Sequence, residues 1–139
     1  MSKLTIKKYK NDKMYPKVVK AIAHLLKTTD VIAPIDVFLQ IGNVLKEDCD
    51  EWRKGKIPYF ERIFQGSLPK ANRVLRIIEY HSAALNMIPL QHKYRRKKKI
   101  PLRFSKSGEA NLEKAYSRHY KWNQSQDKKQ ELIEKILPE

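Results

Sequence analysis

The sequence predicts one mainly helical domain over residues 1–139, with five to seven helices and at most a minor two-stranded β ribbon. Three observations support this fold class. Apolar residues recur at helical spacing over most of the chain, and Pro and Gly residues divide it into segments of helical length. No Gly/Ser-rich linker splits the chain, and 139 residues is a natural length for a single domain.

Four helices are predicted in the first half of the chain, at about 16–28, 34–41, 45–54 and 58–65. Pro16 and Pro34 suit the first turn of a helix, where a missing N–H costs nothing. Gly42 or Asn43 ends the second helix, because these residues tolerate the left-handed backbone of a C-terminal cap. The third helix has acidic residues near its N-terminus and basic residues near its C-terminus, an arrangement that the helix macrodipole stabilises.

The longest predicted helix spans about 69–86. Its core stripe contains Ala71, Val74, Leu75, Ile78, Ser82 and Leu85, which share one side at helical spacing. Lys70, Arg73 and Arg76 form a basic edge on the outer side. This helix therefore presents an apolar side to the core and a cationic edge to solvent.

The last third of the chain predicts the β ribbon and two further helices. Residues 100–105 alternate apolar and polar side chains, a strand pattern that Pro101 weakens. We expect this segment to pair with residues 3–9, which alternate in the same way. Ser107 then suits the N-cap of a helix over about 108–122, and DKKQELIEKIL predicts a final helix.

Positive charge is concentrated in two blocks. The formal net charge is +15, of which residues 1–26 contribute +6 and residues 70–106 contribute +10. The segments 27–69 and 107–139 are close to neutral, at −1 and zero. Clustering of this kind is typical of a surface that binds a polyanion.

The densest charge lies in a basic arm or loop at about 91–106, with six Lys or Arg residues among the seven residues 93–99. Each contact of such a side chain with a phosphate releases condensed counterions, so a nucleic acid, DNA or RNA, is the expected partner. The expected nucleic-acid-binding residues are Lys70, Arg73, Arg76, Lys93, Tyr94, Arg95, Arg96, Lys97, Lys98, Lys99, Arg103 and Lys106. Tyr94, Phe104 and Trp122 are candidates for stacking on unpaired bases.

Two other interpretations of the sequence stay open, one of the basic segment and one of the stretch around Gly66. The first is an interaction protein whose basic arm docks on an acidic protein or an anionic membrane surface, and a nuclear import signal is a variant of it in a eukaryotic host. The second is a helix-turn-helix around Gly66, which the sequence favours less. Arg62 and Asn72 occupy positions where that motif has a small and an apolar residue.

One short pattern suggests catalysis. The hexapeptide from Arg76 to His81, RIIEYH, resembles the R-x4-6-H signature of helical ribonucleases in the HEPN superfamily. The resemblance implies a metal-independent ribonuclease in which His81 is the general base and Arg76 steadies the phosphate. It covers six residues only, so binding without catalysis is favoured over an enzyme.

The sequence predicts neither a cofactor nor a bound metal. Its four histidines lack metalloprotease spacing, and its one cysteine, Cys49, excludes a four-cysteine zinc site and an intramolecular disulfide. No apolar run is long enough to span a bilayer. We therefore expect an intracellular protein, cytoplasmic or, in a eukaryote, nuclear. The oligomeric state is left open.

Overall fold

The computed structural model describes residues 4–138, apart from the side chain of Lys98. Over these residues the fold is mainly α, with six α-helices and five short strands. The helices are α1 (Tyr15–Leu26), α2 (Pro34–Ile41), α3 (Lys46–Arg53), α4 (Leu68–Ala84), α5 (Ala110–Ser117) and α6 (Gln126–Ile136). The strands are β1 (Val31–Ile32), β2 (Ile88–Gln91), β3 (Arg95–Arg96), β4 (Ile100–Pro101) and β5 (Arg118–Lys121).

The predicted ends of several helices are confirmed by their caps. Pro34 begins α2, and Gly42 ends it with a left-handed backbone at φ 94°. The hydroxyl of Ser67 accepts a hydrogen bond of 3.3 Å from the backbone N–H of Lys70 at the start of α4. Local sequence therefore determines where these two helices begin or end.

Helix α1 is the central element of the helical layer. It packs against α2, α4 and α6. Val18, Ile22 and Leu26, at three- and four-residue spacing, have no exposed surface, while Lys17, Lys20 and Lys27 are exposed. This division follows the amphipathic pattern of the sequence.

The region 118–122, which the sequence predicts as helix, is a β-strand for most of its length. Strand β5 lies at the centre of a three-stranded antiparallel sheet with the order β1-β5-β2. Gln91 pairs with Arg118 and Ile88 with Lys121, while Val31 pairs with Lys121 from the other side. Pairing with both neighbours satisfies the strand backbone, and these tertiary contacts override the helical pattern.

The expected ribbon between 3–9 and 100–105 is wrong. Strand β4 pairs instead with β3, at Arg95 with Pro101 and Arg96 with Ile100, across the short 3₁₀ helix Lys97–Lys99. Residue 3 lies outside the described residues. Residues 4–8 contain turns and lead into a second 3₁₀ helix, Tyr9–Asn11, which packs against α4. The nearby pairing is favoured because it closes a loop of only a few residues.

Two other helix predictions need correction. The segment 58–65 forms only the 3₁₀ helix Phe60–Ile63. The backbone N–H groups of Phe60 and Glu61 donate to the carbonyls of Arg103 and Phe104, at 3.0 and 2.8 Å, instead of to the preceding turn. Helix α5 begins at Ala110 and is capped by Glu109, not by Ser107 as predicted.

An aromatic cluster forms the part of the core beneath the basic segment. Trp52 has no exposed surface, and its ring centroid lies 4.9 Å from that of Phe104 and 5.3 Å from that of Phe60. The rings of Phe104 and Tyr116 are stacked at 5.2 Å. This cluster joins α3 to the 3₁₀ helix Phe60–Ile63, to the loop before α5 and to α5 itself, and so it fixes the base of the candidate site.

Candidate nucleic-acid interface

The basic segment 93–99 forms a short hairpin on the surface of the fold together with strand β4. Lys93, Arg95, Arg96, Lys97 and Lys99 have exposed side chains. Tyr94, which lies between Lys93 and Arg95, points inward and is 9% exposed. The hairpin is thus attached to the core by one aromatic side chain, while the neighbouring cations face solvent.

The three aromatic residues expected to stack on bases do not offer exposed rings. Tyr94, Phe104 and Trp122 are 9%, 2% and 5% exposed. The ring of Tyr94 packs edge-on against Phe104 at 5.2 Å, and the Trp122 indole N–H donates to the carbonyl of Ser125. Burial of their apolar area stabilises the fold more than exposure would, so these residues belong to the core.

Two grooves lie on either side of α5. The first, of about 650 Å³, runs between α4 and the α5–β5 segment, and its polar lining includes Arg73, Arg76, Lys114 and Arg118. The second, of about 350 Å³, is lined by residues of the basic hairpin, including Lys93 and Arg95, and again by Lys114. Because Lys114 borders both grooves, the cations of α4 and of the hairpin are linked across α5.

We call this set of cations the basic band. It consists of Arg76, Lys93, Arg95, Lys114 and Arg118. No ion pair is formed by any of the five within the part of the chain that the structure describes. Glu79 and Glu109 line the first groove and Glu113 lines the second, but among the described residues none of them forms an ion pair with these cations. The five cations outnumber these three carboxylates, so the band carries excess positive charge.

The remaining predicted cations lie outside the band. Arg73 forms an ion pair with Asp12 at 3.1 Å, and the two side chains are 30% and 10% exposed. Its charge is thus used within the fold. The guanidinium of Arg103 donates to the carbonyls of Ser105 and Lys106. Lys70, Arg96, Lys97, Lys99 and Lys106 line neither groove among the described side chains.

Two carboxylates hold the loop that follows the hairpin. Glu113 accepts hydrogen bonds from the backbone N–H groups of Phe104 and Ser105, at 2.8 and 2.6 Å. Glu61, which is 8% exposed, accepts from the N–H of Lys106 at 2.9 Å and from the hydroxyl of Tyr116 at 2.9 Å. Charge-assisted hydrogen bonds of this kind are strong, so they fix the loop backbone next to the second groove.

A pair of histidines lies beside the hairpin. The rings of His92 and His119 are stacked, with centroids 4.5 Å apart and an interplanar angle of 13°. The hydroxyl of Tyr94 and Nε2 of His119 are 2.7 Å apart. Burial, with smaller effects of His92 and Arg53, lowers the pKa of His119 to about 4. His119 is therefore neutral at neutral pH, and its Nε2 shares this hydrogen bond with the Tyr94 hydroxyl.

The structure does not bring Arg76 and His81 together. Five residues along a helix correspond to about 140° around its axis, so the two side chains leave α4 in different directions. Arg76 lines the first groove, whereas His81 is 7% exposed and packs edge-on against Tyr15 at 6.1 Å. A general base needs hydrogen-bond reach to its substrate, which the position of His81 does not provide.

The burial of His81 predicts a loss of stability at acid pH. Its pKa is lowered to about 4, mainly by burial and also by Lys10. The unfolded chain, with a histidine pKa near 6.5, binds a proton that the folded state excludes. The contribution of neutral His81 to the free energy of unfolding is complete above pH 6.5. It decreases as the pH falls, and about 3 kcal/mol of stability is lost by pH 4. Urea unfolding at pH 7 and pH 4.5 measures it.

The matched variant for this prediction is His81→Phe, which keeps a ring against Tyr15 and cannot take up a proton. We expect its stability to fall less than that of the wild type between pH 7 and pH 4.5. An identical fall in both proteins would show that His81 is not the group responsible. His119, whose pKa is also lowered to about 4, contributes equally to both proteins and so cancels in the comparison.

Residues 4–138 contain no group of three or more His, Cys, Asp or Glu side chains placed to hold a metal ion. Within the same residues, no helix combines the length and the apolar character needed to cross a membrane. No protein-family model, no curated protein and no solved structure matches the chain.

Proposed function

We propose that this protein binds nucleic acid through the basic band. The observation that carries the proposal is the clustering of these five cations along two grooves that share Lys114, with no ion pair to any of them among the described residues. Like charges placed close together repel one another and lower the stability of the folded state unless a partner neutralises them. A phosphate backbone does so, and the release of its counterions drives binding.

The shape of the band also supports a polymer as the partner. Lys114 borders both grooves, so a strand that crosses α5 at Lys114 reaches from one groove to the other. Phosphates recur along a strand every few ångströms, and successive cations along a groove can follow them. Contacts of this type position a ligand without distinguishing its sequence. We therefore expect affinity that depends little on base composition.

The test measures binding of the wild-type protein to fluorescein-labelled oligonucleotides, to vesicles containing phosphatidylserine and to polyglutamate, at the same low salt concentration. We expect the oligonucleotides to bind most tightly and to dissociate as salt is added. No binding of oligonucleotides at low salt would overturn the proposal. Tighter binding to vesicles or polyglutamate would overturn it in favour of a membrane or acidic-protein partner.

A further inference from the structure

His92 is an exposed aromatic side chain inside the basic band. It lies between strand β2 and the hairpin, directly before Lys93, and it is exposed. The ring nevertheless has two aromatic neighbours. It is stacked on His119 at 4.5 Å and meets Tyr94 at 4.6 Å with an interplanar angle of 73°. His92 is therefore both accessible and held in one orientation.

The support for this ring extends into the core. The backbone N–H of His92 donates to the carbonyl of Ser117 at 3.1 Å, which ties the residue to the end of α5. Behind it, His119 is held by the Tyr94 hydroxyl at 2.7 Å, and Tyr94 packs on Trp52 with ring centroids 6.0 Å apart. A ring supported in this way loses little conformational freedom when a ligand stacks on it.

The surroundings of His92 suit a nucleotide. The residue lines the second groove together with the cations Lys93, Arg95 and Lys114 and the apolar side chains of Pro101 and Leu102. An aromatic ring next to cations is the arrangement with which proteins bind unpaired strands: the bases stack on the ring while the phosphates contact the cations. Duplex bases are already stacked on one another and offer no free face to a side chain.

We propose that His92 is the stacking platform for an unpaired base, and that the ligand of the basic band is single-stranded nucleic acid. The inference rests on the proposed function and adds the ligand class and the residue that selects it. The phosphates on either side of the stacked base contact Lys93 and Arg95, the two cations of the hairpin that line the same groove. Sequence preference is weak, because every base has a face that can stack.

The test compares His92→Ala and His92→Phe with the wild type, using a single-stranded oligonucleotide and its duplex in anisotropy titrations. We expect His92→Ala to weaken single-strand binding by about 5- to 150-fold, the range found when base-stacking side chains are removed. Duplex binding and the salt dependence stay unchanged, since no phosphate contact is lost. His92→Phe retains most of the single-strand affinity because it keeps an aromatic face.

The control variant is His24→Ala, which removes an exposed histidine from α1, away from both grooves, and should leave binding unchanged. A thermal melt of each variant verifies that it is folded. Unchanged single-strand affinity in His92→Ala, or an equal loss on the duplex, would overturn the inference. Failure of the wild type to bind any oligonucleotide would instead contradict the proposed function itself, so the two failures are distinguishable.

Discussion

We expect the substitution Trp52→Ala to lower the free energy of unfolding by about 3–5 kcal/mol, a large part of the stability of a domain of this size. Trp52 has no exposed surface and contacts the rings of Phe60, Tyr94 and Phe104. Its removal leaves a cavity at the centre of the aromatic cluster. The carbonyl of Arg103 also loses the hydrogen bond of 2.8 Å that it accepts from the indole N–H.

The matched variant separates these two effects. Trp52→Phe keeps an aromatic ring in the cluster but removes the indole N–H, so we expect a smaller loss, of about 1–3 kcal/mol. Urea denaturation with tryptophan-independent detection, such as circular dichroism, measures both variants. A loss of stability below about 1 kcal/mol for Trp52→Ala would show that the aromatic cluster does not contribute to the core beneath the basic hairpin.

The second large effect concerns binding. Removing three cations of the basic band in the triple variant Lys93→Gln, Lys114→Gln, Arg118→Gln should weaken single-strand binding about 100-fold at 0.1 M salt. The physical reason is counterion release, since each lost phosphate contact lowers the slope of log affinity against log salt by about 0.7 for a single strand. Lys93 and Lys114 are exposed and Arg118 is half-buried, and none of the three forms an ion pair among the described residues, so stability should change by less than about 1 kcal/mol.

A control with the same change in net charge is available elsewhere in the chain. Lys27, Lys128 and Lys135 are exposed on or next to α1 and α6, and they line neither groove. Their replacement by Gln should reduce affinity only slightly, through the weaker long-range field. If the two triple variants lose the same affinity, binding follows net charge alone and the basic band has no special role.

The helices were predictable where local chemistry determines them. Proline at the start of α2 and Gly42 after it act within a few residues, and the structure confirms both predictions. The strand β5 was not predictable in this way, because its partners β1 and β2 lie about 90 and 30 residues earlier in the chain. Only the fold brings those backbones together.

The positive charge of the candidate site was predictable from the sequence, but the set of residues that form the basic band was not. The six cations in 93–99 are evident from the sequence. The ion pair that neutralises Arg73 is not, because its partner Asp12 comes from a distant segment. Lys114 and Arg118 were missed because they lie in a region of zero net charge. A period of two in RHYK, residues 118–121, places Arg118 and Tyr120 on one face of the strand, and that pattern was the available signal.

The most direct measurement of the central claim is the salt dependence of single-strand binding by the wild-type protein. With one phosphate contact from each of the five cations of the basic band, log affinity should fall against log salt with a slope of about −3.5, and the triple variant should give about −1.4. Anisotropy titrations with one labelled oligonucleotide at several salt concentrations supply both slopes. A wild-type slope near zero, or equal slopes for the two proteins, would contradict the account.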